Sequence, residues 1–372
     1  MTLVASYLDY NATAPVLPEA RAAMAEALAM TGNPSSVHGF GRAARRAIDD
    51  ARAKVAALVG VKPEAVVFTS GGTEANNLAL AAHGFERVLV SAIEHDSVLR
   101  AAPEAQRIPV NADGVVNLQA LDDALAAGGK ALVSVMLANN EAGVIQPVAK
   151  AAAIAHRHGA ALHCDAVQAA GRIEIDMGAL GADMLTLSAH KLGGPSGVGA
   201  LILRDGVALN PALLGGGQES WRRAGTENLA GIVGFGVAAD IAARDLEKAP
   251  ALAGLRDEIE RRVLVVAPDA PIYGKAAPRL VNTSCIGMPG VKGETQVMAF
   301  DLAGIAVSAG AACSSGKVTP SAVLQAMGAS KELAGQAIRV SLGRGNGPGD
   351  VARFAAVWKD LYDRARRLKQ AA

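Results

Sequence analysis

Cysteine is scarce in this 372-residue chain: Cys164, Cys285 and Cys313 are its only three. No two stand at metal-ligand spacing and three cannot all pair within one chain, so no metal site is expected and a reducing compartment is. Net charge is scarce as well. Lys plus Arg at 36 against Asp plus Glu at 35 leave +1, which gives no polyanion-binding surface and no basic membrane patch. Neither nucleic acid nor a membrane is an expected partner. Long apolar runs are missing too: no segment reaches the roughly 18 uninterrupted apolar residues of a membrane span. The start, from Met1 to Asn11, lacks the basic-then-apolar order of a secretory leader. Alanine-rich helical stretches such as 20–29 and 120–127 carry much of the 51% hydrophobic content instead. The expectation is a soluble, cytoplasmic protein.

The length exceeds the roughly 250 to 300 residues at which one core stops growing, so two domains are expected. From about residue 50 the chain alternates helix and strand patterns. Helices read at 51–58 and 73–82 and strands at 65–69, 87–91, 131–136, 161–164, 184–187 and 199–203. Short apolar runs separated by helices predict buried strands of a mostly parallel sheet, an α/β arrangement whose ligands sit at the strand carboxyl ends. After about Leu229 the pattern changes. A helical segment runs through Arg244, a charged helix covers 252–263, and a strand lies around 280–285. A helix at 294–302, a glycine-bearing stretch at 308–316 and a closing helix at 350–368 complete a smaller α+β portion.

Three constellations stand at strand ends. Thr69-Ser-Gly-Gly-Thr-Glu-Ala-Asn-Asn77 runs from a strand through two glycines into a helix, where free amides and the Thr73 hydroxyl make a site for one phosphate. A capped helix after a tight turn reads the same way. The run matches neither a Walker loop nor G-x-G-x-x-G, which argues against nucleoside triphosphates and NAD. Glu94-His95 and Asp165-Ala-Val-Gln168 follow two further strands. There, a carboxylate can hold a protonated ring nitrogen and an imidazole can stack on an aromatic ring; each alone also reads as a structural residue. Ser188-Ala-His-Lys191 then puts an amine and two phosphate-binding candidates before a glycine-rich turn. A phosphate cradle, a ring-nitrogen carboxylate and a Schiff-base lysine are together the parts of a pyridoxal phosphate enzyme.

These residues resemble the cysteine desulfurases, fold-type-I class V pyridoxal phosphate enzymes that feed iron–sulfur cluster assembly. The resemblance runs from Tyr7-Leu-Asp-Tyr-Asn-Ala-Thr13 to Ile338-Arg-Val-Ser-Leu-Gly343. Between them lie Gly32-Asn-Pro-Ser-Ser36, the Thr69 to Asn77 run, Asn139-Asn-Glu-Ala-Gly143, Ser188-Ala-His-Lys191, Arg222-Arg-Ala-Gly-Thr-Glu-Asn228 and Ala311-Ala-Cys-Ser-Ser-Gly-Lys317. It implies a fold-type-I transferase with a large cofactor-binding domain over 15–250. A small domain over 1–14 and 251–372 would carry the catalytic cysteine loop.

By that resemblance, Lys191 links covalently to pyridoxal 5'-phosphate and later moves the Cα proton. His95 stacks on the pyridine ring and shuttles protons, Asp165 keeps the ring nitrogen protonated, and Gln168 contacts the phenolic oxygen. Gly72, Thr73, Ser188 and His190 bind the phosphate, with Thr226 reaching it from the other subunit of a homodimer. Asn140 and Arg339 receive the carboxylate of the substrate, L-cysteine. Cys313, among small residues and glycines, attacks the substrate sulfur, keeps it as a persulfide, leaves L-alanine, and hands the sulfur to an acceptor or scaffold protein. The segment Cys-Ser-Ser-Gly-Lys-Val-Thr-Pro320 resembles the group with an extended cysteine loop.

Two features depart from the pattern: Asn11-Ala-Thr-Ala14 has alanine where a second threonine is usual, and the chain stops soon after its last helix. The second favours a nitrogen-fixation-type or otherwise specialised member. A selenocysteine lyase or an aminotransferase on the same fold, and a non-catalytic assembly platform, are the rival readings. Cys164 and Cys285, on or at the end of strands, read as small apolar residues.

Overall fold

A computed structural model describes residues 6–81, 84–310 and 319–371. Its strands are β1 (Ser6–Tyr7), β2 (Val66–Thr69), β3 (Arg87–Ser91), β4 (Gln106–Ile108), β5 (Ala131–Ser134) and β6 (Ala161–Asp165). Then come β7 (Met184–Ser188), β8 (Gly199–Leu203), β9 (Ile272–Tyr273), β10 (Thr283–Gly287), β11 (Ile305–Ala306) and β12 (Ala337–Ser341).

The largest sheet has seven strands in the order β2-β8-β7-β6-β5-β3-β4. From β7 through β6, β5 and β3 to β4 every pairing is parallel, and β8 alone runs against both its neighbours. The mostly parallel α/β sheet expected from the sequence is therefore the one that forms. β2, β5, β7 and β8 are buried along their whole length, which is why they read as unbroken apolar runs rather than alternations. Val66 and Phe68 face one core with Ile48, Val55 and Phe235, while Val67 faces another with Leu78 and Leu80. Helices thus cover both faces of the sheet.

Element limits moved where apolar pattern and pairing part company. The run expected as strand over 131–136 leaves the ladder at Ser134, yet Val135 and Met136 stay buried, so periodicity alone could not locate the last paired residue. The helix expected over 51–58 begins at Gly39, because Gly41, Ala44 and Ile48 continue its buried face. That helix packs closely on the helix Leu229–Arg244. A Cβ on Gly236 would lie 2.6 Å from Ala51 Cα, so only glycine permits the approach. The strand expected around 280–285 sits at Thr283–Gly287.

A second apolar cluster gathers Leu8, Ile259, Val263, Phe300, Ile338, Val340, Phe354 and Trp358. Phe300 and Phe354 stack there at 4.8 Å. Around it lie the antiparallel sheet β12-β10-β9 and the parallel pair β1-β11. From Leu8 the chain crosses toward the large sheet, with the Asn11 amide donating to Ser341 Oγ (3.0 Å) and the Ala14 amide to His190 O (2.8 Å). That crossing carries residues 9–14 to the carboxyl ends of the parallel strands. No helix among the described residues is long and apolar enough to cross a membrane.

Candidate active site

Because β8 opposes both neighbours, β2 runs in the same sense as β7, β6, β5 and β3, and the segments leaving all five emerge at one edge. A cavity of about 250 Å³ opens there. It is lined by Gly72 and Thr73 after β2, His95 after β3, and Asn140 after β5. Asp165 and Gln168 come from β6 and its following turn, and Ser188, His190 and Lys191 from β7 and the turn after it. Residues scattered over the sequence thus face one another across a single hollow.

The helix Gly72–Ala81 starts at this edge. Glu74 reaches back to accept from the Ser70 amide at 2.8 Å, which ties down the turn and leaves the amides of the first helical residues pointing outward. A Cβ on Gly72 would approach Val167 Cγ2 to 3.1 Å and Ser188 Cβ to 3.5 Å. Glycine there keeps the helix start close to the ends of β6 and β7.

Asp165 is buried at the cavity floor. Its Oδ2 accepts from Asn76 Nδ2 (2.8 Å) and its Oδ1 from the Val167 amide (2.9 Å), so donors hold the carboxylate in one orientation. His95 Nδ1 accepts from the Ser97 amide at 3.1 Å and lies 2.8 Å from Ser97 Oγ. An Nδ1 that accepts an N–H leaves Nε2 to carry the proton of the neutral ring. Lys191 Nζ donates to Asn11 O (2.5 Å) and Ala12 O (2.8 Å). Beside it, burial and then the Lys191 charge push His190 down to about 4, so this imidazole is neutral at pH 7.

Arg339, on β12, is 7% exposed and stands behind Asn140: Nη1 donates to Asn140 O (3.0 Å) and Nη2 to Asp9 Oδ1 (2.7 Å). Asp9 Oδ2 accepts in turn from Ser308 Oγ at 2.8 Å. Thr226 does not reach the cavity of its own chain; it lines a separate hollow with Ser70, Gly197 and Arg223. Cys313 lies outside the described residues. Cys164 and Cys285 are buried and unpaired, and burial pushes both thiols well up, so neither is poised as a thiolate.

Sequence reasoning passed over Asn76 and Ser97, which both line the cavity. Asn76 Nδ2 bridges Asp165 and Ser97 Oγ, each at 2.8 Å. The signal was present: Asn76 lies one helical turn beyond Gly72–Thr73 in the same motif, on the face that Thr73 presents. Glu94 is buried with Oε1 accepting from the Met136 amide at 2.7 Å, and burial, with Asp165 nearby, pushes its carboxyl up to about 8. No metal-holding group of His, Cys, Asp and Glu occurs among the described residues.

Known proteins share both the sequence and this architecture. The family model described as aminotransferase class-V matches residues 6–354. A cysteine desulfurase of Cereibacter sphaeroides is 45% identical over 97% of this chain and 97% of its own. A solved NifS-like protein of Rickettsia africae superposes with a TM-score of 0.89 at 35% identity, covering 96% of this chain and 99% of that one. A structure titled SspA in complex with cysteine superposes at 0.78 with 30% identity, covering 91% and 98%. The chain accordingly belongs to the class-V aminotransferase family and, within it, to the cysteine desulfurases.

Proposed function

We propose that this chain is a pyridoxal 5'-phosphate-dependent cysteine desulfurase. It converts L-cysteine to L-alanine, collects the sulfur on Cys313 and passes it to an acceptor protein for iron–sulfur cluster assembly. The observation that carries this reading is the meeting, in one cavity, of an amine (Lys191), a donor-held carboxylate (Asp165) and an open helix start (Gly72–Thr73). The residues fit the cofactor, because the helix start at Gly72–Thr73 opens onto the same cavity of about 250 Å³ as Ser188, His190 and Lys191, and its amides offer donors to a phosphate.

When bound, pyridoxal phosphate supplies an electron sink for negative charge developing at the Cα of the amino acid. The chain supplies the remainder. Asp165, oriented by Asn76 and the Val167 amide, would hold a proton on the ring nitrogen of the bound group. Gly72, Thr73, Ser188 and a neutral His190 receive the phosphate, and Thr226 of the partner subunit joins them in a homodimer; its place outside its own chain's cavity supports that assignment. Lys191 would hold the cofactor and move the Cα proton, and His95, its Nδ1 fixed by Ser97, would pack on the ring. Arg339, backed by Asp9, and Asn140 receive the substrate carboxylate. The Cys313 thiolate attacks the substrate sulfur. An S–S bond forms as the C–S bond breaks, and the electron pair of that bond stays with the carbon that takes a proton to become the alanine methyl. With Cys164 and Cys285 buried and protonated, Cys313 is the thiol left for this step. Two separate apolar clusters support a large cofactor domain over 15–250 and a small one over 1–14 and 251–372.

The test is sulfide and alanine production from L-cysteine with a reductant. Wild type should release the two in equal amounts, and Cys313→Ala should release neither while still taking up pyridoxal phosphate. Undiminished sulfide from Cys313→Ala would overturn the role of that thiol, and no product from cofactor-loaded wild type would overturn L-cysteine as the substrate of the unassisted enzyme.

A further inference from the structure

Arg172 is a cation that the mechanism above leaves unused. It lies in the turn after β6, with Nη1 donating to the Gln168 backbone carbonyl (2.7 Å) and also to Gln168 Oε1, and Nη2 donating to Tyr10 O (3.3 Å). Among the described residues no carboxylate pairs with it, whereas Arg339 nearby is paired with Asp9. A partly buried guanidinium surrounded only by amide oxygens is an unbalanced charge, and such charges are tolerated where an anion completes them. The anion would come through Gln168. Since Oε1 is taken by the guanidinium, the amide cannot turn over, and Nε2 is left as the outward donor. Nε2 meets Asn11 O at 3.0 Å, the same carbonyl that receives Lys191 Nζ at 2.5 Å. One backbone carbonyl therefore stands between the Gln168 donor and the amine.

We propose that Arg172 is a positioning residue of this site: it locks the Gln168 amide with Nε2 outward and supplies the positive charge that balances an anionic cofactor oxygen received there. The proposal rests on the reading of the site as a pyridoxal phosphate site. Other charged and titratable groups surround it. Lys191 and His190 face it from the turn after β7, Asp165 from the end of β6, His95 from beyond β3, and Arg339 with Asp9 from the side of the small sheet. Tyr10, Arg344 and Lys191 share with Arg172 a second cavity of about 220 Å³, and Arg344 is paired with Asp245 at 2.7 Å. Asp165, held by Asn76 and the Val167 amide, is assigned to the ring nitrogen, so the charge of Arg172 remains for the phenolic side.

A nearby cation eases loss of the proton shared between Lys191 and the bound cofactor, so removing the cation should make that proton harder to lose. The experiment is a pH titration of the visible absorbance of the loaded protein, with the rate of cofactor release as a second readout. Arg172→Gln should raise the absorbance midpoint by about one pH unit and speed release several-fold. Arg172→Lys keeps the charge without the two-oxygen fork, so it should hold the midpoint within about 0.3 unit of wild type while still releasing cofactor faster. An unchanged midpoint in folded Arg172→Gln would overturn the proposal. Should that chain fail to fold, Arg172→Lys decides: wild-type retention, or a midpoint displaced by a full unit, would overturn it equally. Wild type that takes up no pyridoxal phosphate would overturn the functional assignment itself, which separates the two failures.

Discussion

Glu94 and His190 are adjacent in sequence to His95 and Lys191, the residues proposed to carry the chemistry, and burial favours the neutral form of each. His190 is held down to about 4 and is neutral where a free imidazole would be part-charged. Glu94, ordinarily at 4.5, is pushed up to about 8, so between those values the folded protein binds one proton more than the unfolded chain. With the folded value raised, stability associated with that proton is present at low pH and lost as pH rises through 8. Wild type should therefore lose stability relative to Glu94→Gln between pH 5 and 8, seen as a change of at least about 2 °C in the Tm difference. Parallel Tm profiles would show that Glu94 is ionised in the fold. None of this was legible in the sequence, where Glu94-His95 was read for a carboxylate at a strand end and an imidazole able to stack on a ring; desolvation is a property of what packs around them. Asn76 escaped for a similar reason, since its tie to Asp165 joins residues that only the fold brings into contact.

At the level of elements, strands with continuous apolar sequence were readable because both faces of the sheet are covered. Edge pieces such as β4, exposed at Gln106 and Arg107, and the two-residue β1 and β11 carry too little pattern to announce themselves. The segment Glu219–Trp221 was equally silent. Glu219, Ser220 and Trp221 take φ of 47°, 56° and 67°, a left-handed run that side-chain-bearing residues adopt only when held. The holder is a two-point ion pair: Arg52 Nη1 and Nη2 each donate to Glu219 at 2.7 Å, and the Phe68 amide adds a third bond at 2.9 Å. Breaking a buried pair from one side costs about 3–5 kcal/mol. Glu219→Gln should lower the unfolding free energy by roughly that amount, measured by denaturant titration; a loss below about 1 kcal/mol would mean that the left-handed run is held by something else.

Across the whole molecule, the proposed site draws on both apolar clusters, because Arg339 is carried by β12 beside the second one while Asp165 ends a strand of the large sheet and Lys191 lies in the turn after another. Trp358 is fully buried in that second cluster and stacks on Tyr362 at 5.1 Å. Trp358→Ala should cost about 3–5 kcal/mol in a denaturant titration, and a loss under about 1 kcal/mol would show that the closing helix contributes little to this core. By itself the sequence determined the α/β class, the mostly parallel sheet and most of the polar motifs that line the cavity, though not Asn76 or Ser97, because buried strands are uniformly apolar and their carboxyl ends carry the polar motifs. Only the tertiary structure decided that β8 runs against its neighbours, that residues 9–14 cross to the site, that Thr226 lies away from its own chain's cavity, and that Arg172 locks Gln168. Each of these depends on contacts between distant segments, and the energies that set them, desolvation and close packing, exist only once the chain has folded.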